Sequence, residues 1–377
     1  MDTQDKTADD IRLNKYHWYT PRFWDGMRTR PWLSLMWRHR FAWSPSRLHI
    51  ALGSLLFLPF HSACHRWQEL RWRRAVEASP IRHPPIFILG HWRAGTTFLH
   101  ELLVLDDRYT CATTYDCFSP NDFLSTGKFI SRWFGFVMPK RRPMDNMAAG
   151  WDRPQEDEFA LLNMGIPSIY ETLAFPNHGP QHLDYLDFAG LSADEVQRWK
   201  DGLMWFVRRL NFRDPRRLVL KSPPHMARIR TLLELFPDAK FIHIFRDPYD
   251  VFASSVRLWQ ALCETQSLQA PRQEGWDEFV LTLFERLYDA FECQRDAIPT
   301  ENFCEVRYEE LVADPLGRIQ EIYRQLELDG FAEVRPAIEQ HLARVGHYRV
   351  NRHKLNAAVR DRITRRWETY LHKYGYG

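Results

Sequence analysis

Cysteine is scarce in this chain. Its 377 residues contain six, Cys64, Cys111, Cys117, Cys263, Cys293 and Cys304, with no CxxC pair among them. That excludes a disulfide framework and the usual paired-thiol motifs. An excess of charge is missing as well: 51 Lys and Arg against 48 Asp and Glu leave a net charge of +3. A chain so balanced is no general binder of nucleic acid, and any anion site in it has to be local. Long apolar runs are also lacking. The longest, Ile50 to Phe60, is eleven residues and includes Gly53, Ser54 and Pro59, whereas crossing a bilayer takes about 20. The opening MDTQDKTADD has neither a basic n-region nor an apolar h-region, which argues against a secretory signal and makes the cytoplasm the expected compartment. There is no internal repeat and no low-complexity tract.

What is present is an ordinary globular composition, 45% hydrophobic and 26% charged, with an unusual 15 Trp. The aromatics concentrate in residues 16–48, where Trp18, Trp24, Trp32, Trp37 and Trp43 alternate with Arg22, Arg28, Arg30, Arg38, Arg40 and Arg47. Two readings stand open for residues 16–60. Either the indoles wrap onto the main domain, or arginine and tryptophan followed by an apolar run make peripheral contact with a membrane. The expected organisation is an N-terminal arm over 1–48, partly disordered or surface-associated. A helical lead-in over 49–83 and a single domain over 84–377 follow it.

From residue 84 the pattern sharpens. PPIFILG (84–90), RLVLKSP (217–223), AKFIHIF (239–245) and NFCEVRY (302–308) are short apolar runs that predict buried strands. Helical spacing follows at 96–105, 226–236 and 247–259, and a long amphipathic stripe covers 276–298. Strands alternating with helices predict an α/β fold with a parallel sheet flanked by helices.

The first strand runs into GHWRAGTT (90–97). Gly90, four residues, Gly95, Thr96 and Thr97 reproduce a nucleotide phosphate loop, except that Thr96 occupies the place of its lysine. Glycines still let backbone N–H groups face an anion at a helix N-terminus. The missing lysine, and the lack of a clear strand-end Asp for Mg²⁺, point away from triphosphates. Arg93, inside the loop, offers a bidentate fork to a dianion instead. In FIHIFRDPYDVFASS (241–255), Arg246 leaves a strand end and Ser254 lies eight residues on in the following helix. Arg plus hydroxyl at that edge suits a second phosphate.

Together these two segments resemble the cofactor motifs of the sulfotransferases that use 3′-phosphoadenosine 5′-phosphosulfate (PAPS). The branch they most resemble is the bacterial one related to tyrosylprotein sulfotransferases. The resemblance covers roughly 84–377 and implies a P-loop-type fold, PAPS as sulfuryl donor, and no metal. It implies that Arg93, Ala94, Gly95, Thr96 and Thr97 hold the 5′-phosphosulfate, and that Arg246 and Ser254 hold the 3′-phosphate. It also implies that Tyr308, in VRYEELVADP (306–315), contacts the nucleotide. YRVNRHKL (348–355) sits where relatives close a basic loop, and its residues stay unassigned. Lys221, at the end of its strand in KSPPH, resembles the family's catalytic lysine, with Arg93 as the second cation at the leaving oxygen.

An acceptor hydroxyl or amine has to lose a proton, so a base is expected. In relatives with a histidine base it lies two residues after the lysine, where this chain has Pro223. Four candidates remain: His225, Glu156 and Glu158 in RPQEDEF, and Asp116. The implied acceptor is a small molecule, glycan or lipid-like compound. The alternatives are an atypical P-loop kinase and a non-catalytic nucleotide-binding or membrane-surface protein. HSACH (61–65) brings His61, Cys64 and His65 close in sequence, but their spacing does not make a convincing metal site.

Overall fold

A computed structural model describes residues 16–17, 19–139, 142, 147–345 and 355–377. The predicted basic segment at 348–354, Trp18 and residues 1–15 therefore lie outside the described residues.

Five parallel strands form one sheet in the order β2-β3-β1-β4-β5. They are β1 (Ile86–Leu89), β2 (Tyr109–Cys111), β3 (Arg217–Lys221), β4 (Lys240–Phe245) and β5 (Phe303–Arg307). Four of them are the runs read from sequence. β2, the three residues Tyr-Thr-Cys, is too short to carry a pattern of its own and takes its place by pairing with β3. Successive side chains of β1 point to opposite faces, so Ile86 and Ile88 enter one apolar cluster while Phe87 and Leu89 enter the other. All four are fully buried, as expected of a central parallel strand covered on both faces. Because every strand runs the same way, the ends of β1, β3 and β4 open on a single edge, where α/β sheets bind ligands.

The helices that matter for the site are α1 (Thr29–Arg38), α2 (Leu48–Ala78), α3 (Thr96–Leu103), α4 (Thr114–Phe118), α5 (Phe123–Trp133) and α6 (Glu158–Met164). α2 is continuous over 31 residues and runs straight through Pro59, so the eleven-residue apolar run is only part of a much longer helix.

The described part of the N-terminal segment packs into the domain. Trp24 and Trp32 are fully buried, and Phe23, Met27, Leu35 and Met36 join the same core cluster. Charge pairing adds to this. Arg38 Nη1 donates to Glu171 at 2.6 Å, and His182 Nε2 lies 3.2 Å from the same carboxylate. Burial pushes the Glu171 carboxyl up, but hydrogen bonds from His182 and His39 and the Arg38 charge outweigh it, bringing it down to about 2. A folded-state value below the ordinary 4.5 means the ionised form stabilises the fold above about pH 5, and that this contribution is lost as pH falls toward 2. Glu171→Gln should therefore flatten the acid limb of stability, which changes by up to about 1.4 kcal/mol per pH unit for each proton taken up. Urea denaturation at stepped pH reads this directly; parallel curves for the variant and the parent would contradict it.

Candidate active site

At the end of β1 the chain turns sharply. Arg93 (φ 69°) and Gly95 (φ 101°) both take the left-handed conformation, which costs a non-glycine residue energy and is held only where the surroundings fix it. Gly95 is required on a second count, since a Cβ there would stand 2.3 Å from Cδ2 of Tyr308. The Tyr308 ring thus lies against the loop. Ala94 is buried, and Thr96 and Thr97 begin α3.

The second segment converges on the same place. Arg93 Nε donates to Ser254 Oγ at 2.8 Å, and Arg246 Nη1 donates to the Arg93 carbonyl at 3.1 Å. The Arg246 guanidinium stacks on the Tyr308 ring, 4.4 Å from its centroid. Its backbone is clamped at both ends by Tyr370, whose hydroxyl donates to the Arg246 carbonyl at 2.8 Å and accepts from its N–H at 3.3 Å. Arg246 Nε is buried and has no hydrogen-bond partner among the described residues. A buried guanidinium with a donor to spare, next to a glycine cradle and a helix N-terminus, is a good fit for a doubly phosphorylated nucleotide.

Next to the loop is a cleft of about 910 Å³ including its open mouth, lined by Trp92, Thr97, Phe118, Met138, Glu156, Phe159, Tyr170 and Trp259 among others. Among the described residues two acidic ones line it, Glu101, which pairs with Arg153, and Glu156. The Glu156 carboxylate is held by two donors. Its Oε1 accepts from Lys221 Nζ at 2.9 Å and its Oε2 accepts from the Tyr170 hydroxyl. Tyr170 in turn accepts from Trp92 Nε1 at 2.8 Å. Burial, and then the neighbouring Glu156 charge, push the Tyr170 phenol well above its usual range, so it stays protonated and acts as a donor. Parallel pairing of β3 with β1 sets Lys221 opposite Ile88, at the sheet edge where the loop after β1 begins. Trp92 and Tyr170 carry no motif signal. They support the Glu156 carboxylate, and only the packing shows them.

The other three base candidates are placed elsewhere. Glu158 is completely buried and held by Arg228 Nη1 at 2.7 Å and Ser168 Oγ at 2.8 Å, with the guanidinium sandwiched toward Phe188 and Trp199. His225 is equally buried, its Nε2 donating to Asp157 Oδ2 at 2.6 Å, and it does not line the cleft. Asp157 also accepts from Ser222 Oγ at 3.0 Å; burial raises its carboxyl, but the imidazole and hydroxyl more than offset that and hold it below its ordinary value. Asp116 closes the capping box of α4, accepting from the Thr113 N–H at 2.8 Å and pairing with Arg213. Asp157 and Ser222, so bonded, are the chain neighbours of Glu156 and Lys221. In the segment 61–65, His61 is committed to Asp122 at 3.1 Å.

Comparison with known proteins places the chain in a family. A family model described as "Sulfotransferase family" matches residues 84–333. The chain is 40% identical over 365 residues to omega-hydroxy-beta-dihydromenaquinone-9 sulfotransferases of Mycobacterium bovis and Mycobacterium tuberculosis, spanning 97% of this chain and 94% of theirs. The crystal structure of a Mycobacterium avium sulfotransferase superposes with a TM-score of 0.66 at 21% identity, covering 99% of this chain and 98% of that one. A Mycobacterium tuberculosis sulfotransferase superposes at 0.63 with 19% identity, covering 90% of each. At such identities the structural matches speak for the fold.

Proposed function

The chain belongs to the sulfotransferase family, and from that premise we propose which of its cleft residues act and what acceptor they serve. The enzyme transfers a sulfuryl group from PAPS to an acceptor by in-line displacement. Membership at 40% identity over nearly the whole chain sets aside the kinase and the non-catalytic binder.

When bound, the donor supplies an activated sulfuryl group and a phosphate leaving group. In this reading the loop from Arg93 to Thr97 holds the 5′ side, and Arg246 with Ser254 holds the 3′-phosphate, backed by Tyr308. Lys221 and Arg93 stabilise negative charge as it builds on the leaving oxygen. Glu156 takes the acceptor proton on a carboxylate oxygen, and Tyr170, anchored by Trp92, keeps that carboxylate oriented. The Lys221–Glu156 contact at 2.9 Å carries the argument, because it sets a buried cation directly behind a carboxylate that lines an open cleft.

Two observations support a lipid-like acceptor bearing a hydroxyl. The cleft wall is mainly aromatic and aliphatic. The curated relatives are also named for an omega-hydroxylated dihydromenaquinone. Assays with labelled PAPS across hydroxylated prenylquinones, simple phenols, sugars and tyrosyl peptides test this. Turnover is expected on the amphiphilic hydroxyl compounds, and turnover confined to sugars or peptides would reject it.

Arg246→Ala should weaken binding of adenosine 3′,5′-bisphosphate by about 1.5–3 kcal/mol, the worth of hydrogen bonds to a charged group. The variant should then bind the bisphosphate no better than adenosine 5′-phosphate in calorimetric titration. A preserved preference for the 3′-phosphorylated nucleotide would move the 3′-phosphate site away from Arg246.

A further inference from the structure

Helix α2 has polar groups inside and apolar groups outside. Its inward side includes Ile50, Ala51 and Leu58, but also Ser54, His61 and Gln68, all buried. The three polar residues tie it to the domain. Ser54 Oγ donates to Asp25 at 2.5 Å, His61 Nδ1 lies 3.1 Å from Asp122, and Gln68 Oε1 accepts from the Leu124 N–H at 3.0 Å. The outward stripe reads Leu52, Leu56, Phe57, Phe60, Trp67 and Leu70 at helical spacing, every one exposed, with Leu56 at 75% and Leu70 at 86%. Of the most apolar 18 residues of this helix only 28% are buried. α5, whose start is held by those bonds to His61 and Gln68, adds Phe129 and Trp133, and the turn after it adds Phe134 and Phe136, again exposed. Scattered apolar side chains on a surface need no explanation, but a helix-long stripe joined by a second aromatic cluster does.

We infer that this face docks on an anionic lipid bilayer, with α2 lying in the interface plane. By length and composition α2 is able to cross a membrane. Its inward hydrogen bonds to Asp25 and Asp122 on the folded domain hold it alongside instead. Charge favours lipid over a protein partner. The apolar stripe is accompanied by exposed Arg66, Arg71 and Arg74 on α2 and by exposed Lys128 and Arg132 on α5. Apolar side chains and an indole flanked by cations suit a helix lying at an anionic headgroup surface. The patch also continues into the site, since Phe136 is followed by Val137 and then by Met138 and Pro139 of the cleft wall. An amphiphilic acceptor would then reach Glu156 from the membrane plane without crossing water. The inference stands on the surface alone and does not need the acceptor reading.

The test uses the full chain and vesicles of phosphatidylglycerol with phosphatidylcholine, compared with phosphatidylcholine alone. Co-sedimentation with the anionic vesicles is expected, weakened at about 0.5 M salt, where charge attraction is screened. Leu56→Glu combined with Phe57→Glu should lower the bound fraction about tenfold or more with an unchanged melting temperature. Should that variant fold poorly, Trp133→Ser with Phe136→Ser provides the same reading from the end of α5 and the turn after it. A parent protein that stays in the supernatant with both vesicle types overturns the inference. So does a stable dimer in analytical ultracentrifugation that the α2 variant converts to monomer while neither binds vesicles. Turnover on a detergent-soluble acceptor is expected to persist in each surface variant, which keeps failure of docking distinct from failure of the proposed chemistry.

Discussion

Lys221→Ala should lower kcat by about 10²–10³, the usual loss when a preorganised electrostatic donor is removed, while adenosine 3′,5′-bisphosphate binds nearly as before. The expectation follows from where the ammonium sits. It is almost fully buried at the end of β3, and its described partner is the Glu156 carboxylate. A charge so placed acts on a reacting group at short range, without the screening that water would provide. Glu156→Gln keeps the shape of the carboxylate but removes its capacity to accept a proton, and should cost about 10²–10⁴ in kcat. Because the two groups contact each other, the double variant should lose much less than the sum of the single losses. Stopped-time assays with saturating donor, together with bisphosphate titration, decide the matter. Normal turnover in Lys221→Ala would make the strand-end lysine structural.

Glu158→Ala should destabilise the protein by about 3–5 kcal/mol, because it leaves the Arg228 guanidinium charged, buried and without its carboxylate. Arg228 is 1% exposed and its bond to Glu158 is 2.7 Å, so no solvent is at hand to replace the partner. Chemical denaturation of Glu158→Ala and Glu156→Gln side by side separates the two roles. The former is expected to unfold at lower denaturant with little change in slope, the latter to fold normally and turn over slowly. A Glu158→Ala protein of parental stability would show that the guanidinium finds another counter-charge.

Local chemistry made much of this molecule legible in its sequence. Buried parallel strands announce themselves as short apolar runs, because both faces of the sheet are covered. The loop from Gly90 to Thr97 is equally local: a glycine that permits φ 101° and an arginine inside the turn are properties of consecutive residues. Arg246 and Ser254 are readable too, since a strand end and the next helix fix their separation. Sequence also marked residues 16–60 as unusual, from the interleaving of indole and guanidinium groups.

Tertiary structure decided what depends on distant partners. Glu156 and Glu158 are two residues apart and of one chemical type, yet one faces a cleft beside Lys221 while the other is sealed against Arg228. His225 and Asp116 were further candidates in sequence, and are committed to Asp157 and to a helix cap. No window of sequence holds the 65-residue separation between Glu156 and Lys221, nor the 78 between Trp92 and Tyr170. The two faces of α2 were settled in the same way. The apolar residues of its first half run round both faces, and the stripe that lies inward is the one whose Ser54, His61 and Gln68 bond Asp25, Asp122 and the Leu124 N–H. A buried polar group must find its hydrogen bond wherever the chain brings one, and that requirement outweighs the gain from burying a leucine in its place.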